Sequence, residues 1–195
     1  MPGDVLSWLS ANWPEIAGSA LGLIALYFQY RQKAALWPVS ILVAILYTFV
    51  FLNSGLYAYT LLQLYYFSVS IYGWVLWSRK KEDNNHIRVS KTSIRLSVIL
   101  AILTLFFFGA LYLFLQYVTD SDVPFTDAFV TALSFTATWM LARKKLENWL
   151  VWIVADAVSV GLYIHKELFA TAIFYSVLTL AAFAGYFEWK KSFKK

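Results

Sequence analysis

The stretch RKKLENWLVWI, residues 143–153, repeats the outline of RQKAALWPVSI, residues 31–41: a basic break, a tryptophan, then an apolar run. With Arg31 laid on Arg143, Lys33 falls on Lys145, Trp37 on Trp149, Val39 on Val151 and Ile41 on Ile153, without a gap. The match runs on in both directions. Ala20, Leu21 and Ala25 fall on Ala132, Leu133 and Ala137, then Leu56 and Ala58 on Leu168 and Ala170, and Gly73 and Trp77 on Gly185 and Trp189. Apolar coincidences are common in an apolar chain. An Arg-x-Lys break, two tryptophans and a glycine in one register are not, so residues 13–77 and 125–189 read as two copies of one unit.

The composition says what kind of unit it is. The 195 residues are 61% hydrophobic and 14% charged, with a mean hydropathy of +0.62, where a soluble domain is roughly 45–50% apolar and about 25% charged. Seven continuous apolar stretches, at 13–30, 34–52, 57–77, 96–117, 125–142, 148–165 and 168–189, each approach the ~20 residues that carry an α-helix across a bilayer. Strands of a β-barrel would alternate instead. The expected fold is an all-α membrane protein with a 3+1+3 order: a repeat at 13–77, a link at 78–95, a connector helix at 96–117 and a second repeat at 125–189. Spans one and five then cross in the same direction. Parallel repeats of this kind occur in carriers such as the SWEETs, whose sites lie near the midplane.

Net charge is +5, yet its placement argues against nucleic acid. With seven spans, 15 of the 16 Lys and Arg residues fall on one side, in the breaks at 31–33, 79–95 and 143–145 and in the tail from Lys190. The positive-inside rule makes that side cytoplasmic and puts the N-terminus outside. The N-terminal residues carry no basic run of the kind a cleavable signal peptide needs. The polar run SRKKEDNNHIRVSKTSIR, 78–95, reads as a solvated cytoplasmic link. With no cysteine, and with His86 in that link and His165 at a span end, neither a metal nor another cofactor is expected. Pro14, Pro38 and Pro124 suit helix starts, and GSALG, residues 18–22, suits close helix packing.

Polar groups at membrane depth are where function is legible. In the sixth span Asn148, Trp152, Asp156, Ser159 and Tyr163 recur on one helical face. A carboxylate at the centre of a span costs about 2.5–3.5 kcal/mol on insertion scales and almost always faces a bundle interior or a wet cavity. No Lys, Arg or His lies at comparable depth to offset it. Three readings follow: a site facing a ligand, an interhelix hydrogen bond, or a carboxylate that carries a proton. In the third span Gln63, with Tyr59 and Tyr66 on roughly its face, can read an amide or a hydroxyl. Gln63 aligns with Tyr175 and Asp156 with Ala44, so these groups are not duplicated scaffold, which favours one asymmetric small molecule as ligand. Nine Trp and thirteen Tyr divide between interfacial belts (Trp8, Trp13, Trp37, Trp77, Trp189) and deeper positions that include Trp139, Trp152, Tyr66, Tyr163 and Tyr175. Aromatic walls around a carboxylate favour a flat organic cation.

YYFSVSIYGWVLW (65–77), ENWLVWIVADAVSVGLYI (147–164) and KELFATAIFY (166–175) resemble the PnuC family of bacterial vitamin transporters over essentially the whole chain. Two W-x-x-W spacings, Trp74 with Trp77 and Trp149 with Trp152, resemble a motif associated with its nicotinamide riboside members. A sister branch carries thiamine and more distant members riboflavin. The resemblance implies a full-length SWEET-like bundle in the inner membrane and a trimer. It also implies facilitated diffusion of an unphosphorylated vitamin that a cytoplasmic kinase then traps. An enzyme is not expected, because one deep carboxylate with no cysteine and no deep histidine supplies neither a nucleophile–base pair nor a metal ligand set. Nicotinamide riboside and thiamine both carry a fixed positive charge that would suit Asp156. A proton-coupled symporter using Asp156 is the rival mechanism.

Overall fold

The computed structural model describes residues 13, 17–18, 20–53, 57–79, 87–165, 167 and 169–193, and within these not the side chains of 50, 51, 53, 57–61, 170 and 193. Trp8, Pro14, His86, Lys166 and the side chain of Tyr59 lie outside that description. The described residues form seven helices: α1 (Ala20–Tyr30), α2 (Leu36–Asn53), α3 (Tyr57–Trp77), α4 (Ile94–Val118), α5 (Pro124–Ala142), α6 (Asn148–His165) and α7 (Phe169–Phe193). Three stretches, Ile94–Val118, Asn148–His165 and Thr171–Ser192, are long and apolar enough to cross a membrane. Along α4 only Leu100 is buried, while Ile102, Leu105, Phe106 and Tyr117 stand exposed. A surface of that kind is stable against lipid and not against water.

Helix is the form such sequences must take, because a bilayer offers no partner for an unpaired backbone group. The ends are set locally. Ser93 caps α4 by accepting from the Leu96 N–H at 3.3 Å, which starts the helix two residues before the hydropathy does. Pro124 occupies the first turn of α5, where its missing N–H costs nothing. The last turn of α7 continues through Lys190 and Lys191, past the apolar stretch. Hydroxyls inside the helices turn back on their own backbone: Thr48 donates to the Ala44 carbonyl, Thr138 to Ser134 and Ser176 to Ala172, at 2.7–2.8 Å.

The chain divides into two compact units, residues 1–87 and 88–195. In the first, α2 packs on α3; in the second, α4 packs on α5, α5 on α6 and α6 on α7. The connector helix α4 thus belongs by packing to the second unit. Corresponding positions of the units make the same contacts. Trp37 meets Trp77 edge to face at 5.4 Å and 90°, and Trp149 meets Trp189 at 5.5 Å and 90°. Trp37 and Trp149 are both 1% exposed and Trp189 is wholly buried. Those tryptophans that the sequence assigns to an interfacial belt are therefore core. The reason is a glycine on the facing helix: a Cβ on Gly73 would lie 2.4 Å from the Trp37 ring, and one on Gly185 2.5 Å from the Trp149 ring. Within the first unit Gly18 is used in the same way, its face closed by the Tyr47 ring, while Gly22 of the same GSALG stretch faces open space.

The breaks between helices also correspond. Gln32 and Lys144 both have positive φ, 53° and 49°. Around them the Gln32 N–H reaches the Gln29 carbonyl and the Lys33 N–H that of Phe28, as Lys144 reaches Leu141 and Lys145 reaches Met140. Each is a Schellman end to a helix, followed by a short turn into the tryptophan.

Candidate functional site

The stripe expected on α6 forms, and its members differ in how they are satisfied. Asn148 is fully buried and its amide donates to the Lys145 carbonyl at 2.6 Å, so it closes the turn that starts the helix. Ser159 is buried and donates to the Ala155 carbonyl at 2.9 Å. Asp156, between them, is 6% exposed and among the described residues has neither a hydrogen-bond nor an ion-pair partner. An ionised carboxylate only accepts, and every N–H along the middle of a helix is committed to its own ladder. A serine can solve its burial within its own helix; an aspartate must look outside it.

One turn before Asp156, the Trp152 indole Nε1 is buried and also without a partner among the described residues. The buried Nε1 atoms of Trp37 and Trp149 are likewise without a partner among the described residues, so what sets this face apart is the buried Asp156 beside Trp152, since buried polar groups are normally hydrogen-bonded. Two turns after Asp156, Tyr163 lies against Tyr175 of α7, ring centroids 5.1 Å apart and planes at 31°. Both rings are partly exposed. The second unit thus brings Trp152, Asp156, Ser159, Tyr163 and Tyr175 together along α6 and its contact with α7.

Other expected site residues are placed elsewhere. Trp149 packs between Gly185 and Trp189; since Trp37 does the same in the first unit, this packing is common to both repeats. Trp139 sits in the last turn of α5 with the Arg143 guanidinium 5.5 Å over its ring. That is the basic end of the helix rather than the middle of the span. Gln63 on α3 is 9% exposed and has no hydrogen-bond partner among the described residues. Tyr66 lies edge to face with Tyr65 at 5.7 Å. Among the described residues no group of three or more His, Asp or Glu is gathered as metal ligands.

One contact escaped the sequence. The described end of the 78–95 link is not a solvated tether: Ser90 pairs with the α5–α6 turn, its N–H reaching the Lys144 carbonyl at 3.1 Å and its carbonyl taking the Leu146 N–H at 3.0 Å. The Glu147 carboxylate accepts from the Thr92 N–H at 2.8 Å and from the Thr92 hydroxyl at 2.7 Å. Glu147 is the one acid in a turn of three bases, and that oddity was the only sign of its role.

Long apolar helices with a buried carboxylate in one of them are the features of a membrane protein with a polar interior. The chain belongs to the nicotinamide mononucleotide transporter family, whose sequence profile matches residues 12–191, the family of the PnuC transporters; these are transporters and not enzymes. It is 26% identical over 206 residues to the nicotinamide riboside transporter PnuC of Escherichia coli, covering 93% of this chain and 86% of that one. It is 25% identical over 180 residues to the riboflavin/roseoflavin transporter RibM of Streptomyces davaonensis, covering 91% and 84%. In fold it is similar to the crystal structure of the vitamin B3 transporter PnuC, with a TM-score of 0.72, 18% identity, and 98% of this chain and 86% of that one covered.

Proposed function

We propose that this transporter carries nicotinamide riboside into the cell by facilitated diffusion, with a cytoplasmic kinase trapping the product. The observation that carries the reading is Asp156, a buried carboxylate with no partner among the described residues, beside the Trp152 indole N–H, which also lacks one among them. A fixed cation on a flat ring answers the carboxylate without a proton, and the Trp152, Tyr163 and Tyr175 rings supply the faces that attract it. Gln63, on α3 of the first unit, has two donors and two acceptor lone pairs, a set suited to an amide or a hydroxyl. Neutral riboflavin, the cargo named for RibM, has no need of the carboxylate. Thiamine, cationic and flat, satisfies the same residues and is the second reading.

The architecture we propose with it is the parallel 3+1+3 order, alternating access by movement of one repeat against the other, a trimer, and a cytoplasmic C-terminus set by the basic breaks. The test is calorimetric titration of the purified protein with nicotinamide riboside, thiamine and riboflavin in parallel. Riboside should bind, and Asp156→Asn should weaken it by tenfold or more while the protein still folds. Binding of riboflavin in preference to both cations would overturn the reading; thiamine alone would move the substrate and keep the site. Uptake that stops when the proton gradient is collapsed would replace facilitated diffusion with proton coupling.

A further inference from the structure

The second unit has a further concavity that the substrate reading does not use. A groove of about 550 Å³ runs between α4, α5 and α6, its walls formed by Leu100, Ala101, Leu133, Met140, Val151 and Val154. The hydroxyls in its floor are spoken for: Thr104 and Thr136 bond each other, and Thr104 also reaches the Leu100 carbonyl. It therefore offers hydrocarbon contact and no unanswered polar group, which is the reverse of the Asp156 face. From Ser97 to Leu105 the groove follows α4 for about 12 Å at 1.5 Å per residue, close to the ~15 Å of hydrocarbon in one leaflet.

Its mouth is at the basic end of the unit, marked by Thr92 and Glu147. The pairing of Ser90 with the α5–α6 turn holds segment 88–95 against residues 143–147. Arg88, Arg95 and Lys145 are thereby brought to one basic surface, where the one acid among the described residues of 87–95 and 143–147 is Glu147, whose carboxylate accepts from Thr92. Lys145 Nζ bonds only neutral oxygens, Ser90 Oγ at 3.0 Å and the Lys91 carbonyl at 3.3 Å, so its charge is uncompensated. Arg88 and Arg95 are exposed and make no hydrogen bond or ion pair among the described residues. An apolar slot about one leaflet deep beside basic side chains suits a molecule with a hydrocarbon chain and an anionic head.

We propose that this groove holds an acyl chain of an anionic phospholipid, with its headgroup on the basic surface of 88–95 and 143–147. The attraction of basic side chains for anionic headgroups selects the lipid, and the apolar walls hold its chain. The test is native mass spectrometry of the full-length protein after exchange into detergent containing equal amounts of phosphatidylglycerol and phosphatidylcholine. Wild type should retain phosphatidylglycerol preferentially. Arg88→Gln with Arg95→Gln should reduce that preference by roughly fivefold per arginine. Ala101→Trp should abolish retention by filling the groove; Ala101 is exposed, so the change displaces no buried side chain. Val154→Trp, at a position 47% exposed, gives the same readout should the first variant fail to fold. Equal retention of the two lipids, or phosphatidylglycerol held as well by the filled groove, would overturn the proposal. So would a change of oligomeric state in the tryptophan variants with lipid retention intact, which would make the groove a seat for a second copy of the chain.

Discussion

The two repeats agree in their tryptophan–glycine packing and in the basic turns, and differ in the polar groups within their helices. Trp37, Gly73 and Trp77 in one unit make the cluster that Trp149, Gly185 and Trp189 make in the other, and the turns at Gln32 and Lys144 share their hydrogen bonds. Against that common frame, Ala44 stands where Asp156 does, Tyr175 where Gln63 does and Ala35 where Glu147 does. Ala44 is 1% exposed, so the alanine and the aspartate occupy equally buried places. A frame that is duplicated, with polar groups that are not, is what an asymmetric ligand requires.

Exchanging the private residues tests this most severely. Ala44→Asp places a second unpartnered carboxylate in a span and should destabilise the protein by about 2.5–3.5 kcal/mol, read as a fall in the thermal midpoint in detergent. Asp156→Ala removes the existing one and should raise that midpoint while uptake is lost. A fall in stability for Asp156→Ala would mean that the carboxylate serves the fold and not the substrate.

Next in size are the shared glycines. In a helix Gly→Ala ordinarily stabilises, by about 0.5–1 kcal/mol. Here Gly73→Ala and Gly185→Ala should each destabilise by about 2–3 kcal/mol, because a Cβ at 2.4–2.5 Å from a buried indole forces the ring to move within a filled core. Similar losses for both would confirm that the repeats are equivalent as packing units, and a large effect at one alone would break the equivalence.

This division also explains what the sequence could say. The repeat was legible because tryptophan, glycine and arginine are rare enough in an apolar chain for their register to carry information. The α6 stripe was legible because helical period alone puts Trp152, Asp156, Ser159 and Tyr163 on one face. Burial of Trp37, Trp77 and Trp189 was not, since position near a span end says nothing of whether the ring turns to lipid or inward. A glycine on the neighbouring helix decides that. Nor could the sequence show that Asp156 has no partner among the described residues, because partners come from other elements. Glu147 bonds a threonine 55 residues away, and no local pattern announces such a contact.

A smaller effect is expected from that contact. Glu147→Ala should cost about 1–2 kcal/mol, in the range of hydrogen bonds to a charged group at a partly exposed site, and should speed hydrogen exchange at the Ser90 and Thr92 amides. Its counterpart Ala35→Glu, on an exposed turn that pairs with no such segment among the described residues, should change neither. Protection of Ser90 and Thr92 that survives Glu147→Ala would assign the pinning to the backbone pairing with Lys144 and Leu146 instead.

The smallest effect separates the two turns themselves. Gln32 and Lys144 both hold a left-handed conformation that glycine adopts without the penalty of a Cβ. Gln32→Gly should therefore stabilise by a few tenths of a kcal/mol and at most about 1, seen as a rise in the thermal midpoint. Lys144→Gly gains the same backbone relief but gives up more, because its side chain is 7% exposed where that of Gln32 is only half-buried. Its stem packs where glycine would leave nothing. The midpoint should then stay level or fall. Two turns with one backbone would thus answer the same substitution with different signs, and the difference would measure how far the second unit has drawn its basic turn into service for the segment 88–95 pinned to it.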